Sequence, residues 1–105
     1  MVTELSVAQL KDRLEKGETP FLLDVREPFE HEIANLGGLL IPLGDLPARL
    51  GELDKEGEII VYCHTGRRSW RATEFLQRQG FRSVKNLAGG IDAWSTQIDP
   101  KLPRY

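Results

Sequence analysis

The feature of this chain that most limits its fold is the apolar run Glu58–Tyr62, which leads directly into Cys63 and a glycine-containing loop. The centre of the run is β-branched, and its short length is typical of a buried strand rather than a helix. After the loop, apolar side chains recur at helical spacing up to Gly80, which predicts a helix over residues 69–79. The centre of the chain is therefore predicted to run from strand through loop to helix.

Similar short runs alternate with helical patterns along the rest of the chain. Ser6 and Gln9 fit a capping box that begins a first helix, and Gly17 is a natural end for it. Further strands are predicted at residues 21–23, 39–41 and 84–87, and further helices at 30–34, 46–53 and 89–94. This alternation indicates the α/β class with a mainly parallel central sheet. Ligands of such sheets bind beyond the carboxyl ends of the strands, where Cys63 is expected.

Composition excludes several kinds of protein. With 14 Lys and Arg against 16 Asp and Glu, a dedicated nucleic-acid binder is not expected. The one cysteine rules out an internal disulfide, and with two histidines it argues against a structural zinc site, so no metal is expected. No apolar stretch reaches the roughly 18 residues of a membrane span, and the first residues lack a secretory pattern. The expectation is one cytoplasmic domain, residues 1–105, monomeric and without a cofactor.

The loop after Cys63 combines several features that stabilise an anion. A tight turn at Gly66 can direct backbone N–H groups inward, and the following helix adds its positive N-terminal end. Arg67 and Arg68 bring two permanent positive charges. Together these features favour the thiolate, which is the nucleophilic form of cysteine. Cys63 is therefore the candidate catalytic residue, and the candidate substrate-binding residues are His64, Thr65, Gly66, Arg67 and Arg68.

Three roles in this loop stay open. Cys63 could be a small buried apolar residue, although a glycine and two arginines before a helix argue against that interpretation. His64 could be a general base, or its side chain could point away from the thiol. Of Arg67 and Arg68, one is expected to face the substrate while the other holds the loop through a carboxylate.

Three separated segments together resemble the rhodanese-like family. The first comprises residues 23–27, Glu30 and residues 37–42, the second is residues 63–69, and the third is residues 80–94. The resemblance implies a rhodanese-like α/β fold with helices on both faces of the sheet and the nucleophile at Cys63. The chain departs from the family pattern at residues 33–38, where the usual histidine is absent.

The resemblance also implies supporting roles around the loop. Asp24 and Arg68 would brace it as an ion pair, unless Asp24 merely caps a strand end. Arg26 and Glu30 could form a second brace or be ordinary surface charges, and Ser69 would support the loop. By contrast, residues 89–90 and Trp94 are expected to serve turns and packing.

The implied activity is transfer of a sulfane sulfur, carried as a persulfide on Cys63, from thiosulfate or a protein persulfide to a thiophilic acceptor. Residues 94–105 also resemble the rhodanese end of fused adenylyltransferase-sulfurtransferases, which serve ubiquitin-like sulfur carriers; such a carrier is a possible partner. Two alternatives remain. One is a non-catalytic binding module, and the other is a cysteine phosphatase or arsenate reductase. The latter enzymes usually place arginine after five residues that follow the cysteine, a position occupied here by Ser69.

Overall fold

The computed structural model describes residues 1–105 and consists of strands and helices in alternation. The strands are β1 (Thr3–Leu5), β2 (Phe21–Asp24), β3 (Leu39–Leu40), β4 (Glu58–Tyr62) and β5 (Ser83–Leu87). The helices are α1 (Val7–Glu15), α2 (Pro28–Ile33), α3 (Arg67–Arg78) and α4 (Gly90–Gln97), with a 3-10 helical segment at Leu43–Glu52. None of these helices has the length and apolar character needed to cross a membrane.

All five strands form one parallel sheet in the order β1-β5-β4-β2-β3, which confirms the predicted α/β class. Strand β4 lies in the middle, paired with β2 on one side and β5 on the other. Strand β1 was not predicted, because three residues with two exposed side chains carry no strand pattern. Its extended conformation comes from pairing with β5, for example of Leu5 with Leu87.

Apolar side chains cover both faces of the sheet, as predicted. Successive residues of a strand point to opposite faces. In β4, Ile59 and Val61 belong to the core under α3 and the 3-10 segment, whereas Ile60 and Tyr62 belong to the core under α1 and α4. Because both faces are buried, β4 shows a continuous apolar run instead of an alternating one.

Several predicted helices differ from the structure at their ends or in type. The segment predicted as a helix at 46–53 is 3-10 helical from Leu43 to Glu52 and is kinked at Arg49. Pro47 lies inside it and cannot donate a backbone hydrogen bond, which disfavours a regular α-helix. Helix α2 begins before the predicted residue 30, at Pro28, a residue favoured in the first helical turn. Helix α4 continues past Trp94 to Gln97.

Candidate active site

Cys63 follows the last residue of β4 and lies at the bottom of the loop that leads into α3, with 1% of its surface exposed. The backbone amides of Gly66 and Ser69 donate to Cys63 Sγ at 3.1 and 3.3 Å. The Ser69 hydroxyl lies at 3.3 Å from the same sulfur. The thiol is therefore covered, but the groups that cover it are hydrogen-bond donors. This arrangement is suited to a sulfur anion.

The backbone of the loop is turned so that its first two carbonyls face α4, while the amides of Gly66 and Ser69 face the thiol. The carbonyls of Cys63 and His64 accept hydrogen bonds from the amides of Ile91 and Asp92, both at 2.9 Å. Gly66 allows the turn with a φ of +96°. The start of α4 thus fixes the orientation of these two carbonyls.

Gly90 makes this contact between the loop and α4 possible. It has a φ of +60°, and a Cβ atom there would lie 2.4 Å from the Cys63 carbonyl oxygen and 2.5 Å from that of His64. No larger residue fits without moving the loop backbone. Residues 89–90 were interpreted from the sequence as turn residues, but the sequence does not show that the Cys63 and His64 carbonyls approach Gly90.

Asn86 is a supporting residue that the sequence analysis missed. Its side-chain amide donates to the Gly66 carbonyl at 3.1 Å and to Glu4 at 2.9 Å, and the residue is 1% exposed. The available signal was a polar residue inside the apolar run of β5. A buried amide in such a strand needs a partner, and here the partner is the loop.

The expected ion pair between Asp24 and Arg68 is not formed, and this prediction was wrong. Asp24 pairs instead with Arg26, through Nε to Oδ1 at 2.9 Å and Nη2 to Oδ2 at 2.7 Å. Both side chains are fully buried. His31 Nδ1 lies 2.9 Å from Asp24 Oδ2 and completes the cluster. Residues two apart in extended backbone point to the same side, so strand geometry could have indicated this pair.

Arg26 and Glu30 are both buried, so their interpretation as surface charges was wrong, and the brace between them forms through the Glu30 backbone carbonyl rather than its carboxylate. In addition to Asp24, the Arg26 guanidinium donates to three oxygens, those of the Glu30 carbonyl (3.3 Å), the Ala34 carbonyl (2.7 Å) and the Tyr105 hydroxyl (2.8 Å). All five guanidinium N–H groups therefore have an acceptor, as a buried arginine requires. Through the two carbonyls, Arg26 anchors α2 to the end of β2.

Arg68 is held by Glu30 of α2, and Arg67 is free. Arg68 Nη1 and Nη2 contact the two carboxylate oxygens of Glu30 at 2.7 and 2.9 Å. Arg67 is exposed, makes no ion pair, and lines an open cleft beside Gly66. The structure thus assigns the two arginines different surroundings. Arg68 forms with Glu30 the ion pair that we call the brace, and Arg67 lines the open cleft.

The ring of His64 contacts Tyr105 rather than the thiol. The two rings are stacked with centroids 4.1 Å apart and an angle of 14° between their planes. The Tyr105 hydroxyl donates to Glu30 Oε2 at 2.7 Å and accepts from Arg26. Thr65 is exposed at the loop. Sequence analysis missed Tyr105, because nothing in residues 99–105 shows that the tail returns to the site.

The carboxylates that brace the site are ionised at neutral pH. Burial alone would raise the pKa of Asp24, but hydrogen bonds from Arg26 and His31 outweigh it and hold that pKa below its usual range. Hydrogen bonding from Arg68 lowers the pKa of Glu30 to about 2 against the opposing effect of burial. Burial raises the pKa of Tyr105 to about 12, so its hydroxyl keeps its proton.

A comparison of the sequence with known protein families identifies the family of this chain. A sequence model of the rhodanese-like domain matches residues 6–97. The chain belongs to the rhodanese-like domain family. This rhodanese-like domain also has the fold of a rhodanese-like domain protein from Staphylococcus aureus, with a TM-score of 0.84 and 26% sequence identity over 99% of both chains.

Relatives of this rhodanese-like domain differ greatly in length. A sulfurtransferase of Allochromatium vinosum is 36% identical over 90% of both proteins. The YrkF protein of Bacillus subtilis is 38% identical over 93% of this chain, which spans 54% of that protein. The adenylyltransferase and sulfurtransferase MOCS3 of Arabidopsis thaliana is 32% identical over 98% of this chain, which spans 26% of it. The last match includes the tail whose resemblance to such fusions was noted in the sequence.

Proposed function

We propose that this chain is a sulfurtransferase that carries a sulfane sulfur as a persulfide on Cys63. The observation that carries this proposal is the convergence of the Gly66 and Ser69 amides and the Ser69 hydroxyl on Cys63 Sγ. These donors stabilise a thiolate before reaction and a persulfide anion after it. The sulfurtransferase relative of similar length supports the same chemistry.

The reaction divides into two displacements at sulfur. The Cys63 thiolate attacks the outer sulfur of thiosulfate, a new S–S bond forms, and the S–S bond of thiosulfate breaks as sulfite leaves with the electron pair. A thiophilic acceptor such as cyanide then attacks the outer persulfide sulfur. The S–S bond between that sulfur and Cys63 Sγ breaks, and the Cys63 thiolate is restored. Each step leaves the enzyme ready for the other, which predicts ping-pong kinetics.

Arg67 and Arg68 take separate roles in this scheme. Arg67 is exposed beside the cleft and has no carboxylate partner, so it is available to bind an anionic donor. Arg68 is held by Glu30 and fixes the first turn of α3, and Ser69 of that turn contacts the thiol. The donor is proposed to be thiosulfate or a protein persulfide, and the acceptor a thiol or a ubiquitin-like sulfur carrier.

A phosphatase function is less well supported by the same loop. At the position where cysteine phosphatases place their arginine, this chain has Ser69, which is buried and whose hydroxyl contacts the thiol. The loop therefore lacks the arginine that those enzymes place at this position. The loop offers donors to a single sulfur atom.

Intact-protein mass spectrometry after incubation with thiosulfate tests the proposal. The protein is expected to gain one sulfur atom, and cyanide should remove it and release thiocyanate. Cys63→Ser is the matched control, since it keeps a hydrogen-bonding side chain at the same position and removes only the nucleophile. A folded wild-type protein that gains no sulfur from thiosulfate or from a small persulfide would refute the proposal in favour of a binding module.

A further inference from the structure

Two arginines beside the Cys63 loop have no acidic partner. Arg67 and Arg71 form no ion pair within the chain. Every other arginine contacts a carboxylate, and these are Arg13, Arg26, Arg49, Arg68, Arg78, Arg82 and Arg104. In a chain with a net charge of −2, acidic groups are available, yet none lies against these two. The positive charge at this position is therefore not neutralised within the chain.

Arg67, Trp70 and Arg71 lie on one face of the first turns of α3, because residues three and four apart are neighbours on a helix. Together with Gly66 and Arg68 they line an open cleft of about 610 Å³. Trp70 is 41% exposed, which is high for so large an apolar side chain. Tryptophan and arginine are enriched where proteins bind other proteins.

The cleft is too large for thiosulfate alone. Thiosulfate has only five heavy atoms and would fill a small part of an open cleft of about 610 Å³. The cleft borders the Cys63 loop, because Gly66 lines it and the amide of the same residue donates to Cys63 Sγ. A longer ligand lying in the cleft would thus have one end at the loop that holds the thiol.

We propose that the face formed by Arg67, Trp70 and Arg71 docks an extended acidic segment of a partner protein that delivers or receives the sulfur. This inference rests on the proposed function and adds the chemistry of the partner. Carboxylates of the segment pair with the two free arginines, and its backbone packs on Trp70. A nucleic acid is a poorer fit, because two free cations neutralise few phosphates and the chain as a whole is negative.

Binding is tested first on the Cys63→Ser protein, so that no sulfur transfer contributes. The probe is a synthetic hexaglutamate peptide, followed by tryptophan fluorescence, with a hexalysine peptide as the charge control. The dissociation constant is expected to rise with salt, and Arg71→Ala should weaken binding about threefold to tenfold. Arg78→Ala is the matched control, since Arg78 is exposed on the last turn of the same helix and pairs with Glu74. Trp70→Phe should remove most of the fluorescence change.

Transfer is tested next with two donors, thiosulfate and a hexaglutamate peptide ending in a cysteine persulfide. Arg71→Ala should lower kcat/KM for the peptide donor about threefold to tenfold and leave persulfide formation from thiosulfate within about twofold of wild type.

Equal peptide binding by Arg71→Ala and Arg78→Ala would overturn the docking site. A single-stranded oligonucleotide that displaces the peptide at lower concentration than free peptide would also overturn it, in favour of nucleic acid. If peptide binding depends on Arg71 while no donor loads Cys63, the docking site stands and the proposed function fails.

Discussion

Arg68 at the start of α3 and Glu30 in α2 are joined by a two-point ion pair, with distances of 2.7 and 2.9 Å, across 38 residues of sequence. Glu30 is itself on a helix anchored by the buried Arg26, whose guanidinium is fixed by Asp24 at the end of β2. The sheet therefore positions α2, and α2 in turn positions the first turn of α3, which contacts the thiol. The loop around Cys63 is held by side chains from outside it.

Substitution of the two neighbouring arginines should separate binding from stability. Arg67→Ala is expected to raise KM for thiosulfate at least about tenfold, because a charge-assisted contact to the donor is lost, with little change in unfolding. Arg68→Ala should lower the free energy of unfolding by about 2–4 kcal/mol, because it leaves the Glu30 carboxylate buried without its partner. Steady-state kinetics of both variants measures the KM for thiosulfate, and urea unfolding measures the free energy of unfolding. Equal losses of stability in the two would contradict the separate roles.

Acid should weaken the ion pair between Glu30 and Arg68 only at pH values below 4.5, the usual pKa of a glutamate side chain. The pKa of Glu30 falls from its usual 4.5 to about 2 in the folded protein, chiefly because Arg68 hydrogen-bonds to it. A lowered pKa stabilises the fold above pH 4.5, and this contribution, about 3 kcal/mol at most, is lost as pH falls from 4.5 toward 2. Glu30→Gln should be less stable at pH 7 and should show a flatter decline of stability between pH 4.5 and 2, measured by urea unfolding.

Glu58→Gln provides a matched control for this pH effect. Arg13 and Lys85 also lower the pKa of Glu58 to about 2, but Glu58 begins β4, at the opposite end of the strand from Cys63. Both glutamine variants should lose acid-dependent stability, and only Glu30→Gln should slow persulfide formation at pH 7. Equal slowing in both would show that general instability, and not the brace, limits the reaction.

Adding one methyl group at Gly90 should disrupt the site. In Gly90→Ala the new Cβ meets the Cys63 and His64 carbonyls at 2.4 and 2.5 Å, in a backbone conformation of positive φ. We expect a loss of about 2–4 kcal/mol in unfolding free energy and a slower gain of sulfur from thiosulfate. Gly51→Ala, where a Cβ meets no atom within 4 Å, should change stability by less than about 0.5 kcal/mol. A Gly90→Ala protein as stable and active as Gly51→Ala would disprove this packing argument.

Two substitutions of Tyr105 should distinguish its hydroxyl from its ring. Tyr105→Phe loses the contacts with Arg26 and Glu30, at an expected cost of about 1–2 kcal/mol in unfolding free energy, and keeps the stack on His64. Tyr105→Ala also loses the stack. Proton NMR of the two histidines reports this directly, since ring current from Tyr105 shifts His64 in the wild type and in Tyr105→Phe, but not in Tyr105→Ala. An unshifted His64 signal in the wild type would show that the stack does not form in solution.

The local features of the site were predictable from sequence, whereas its supports were not. The strand before Cys63, the turn at Gly66 and the helix after it follow from side-chain periodicity and from the backbone freedom of glycine. The inward direction of the amides at Gly66 and Ser69 follows from the same turn, within six residues of Cys63. The partner of Asp24 was predicted wrongly, because similarity to a family suggests which charges matter but does not show which of them are neighbours.

The sequence by itself determined the α/β alternation, the apolar strand at the centre of the sheet and the position of the cysteine at its carboxyl end. These depend on patterns a few residues long. Only the tertiary structure decided that Glu30 holds Arg68, that Asn86 holds the carbonyl of Gly66, and that Tyr105 returns to His64. Each of these contacts joins elements distant in sequence, and its formation depends on how the helices pack against the sheet, which no local pattern records.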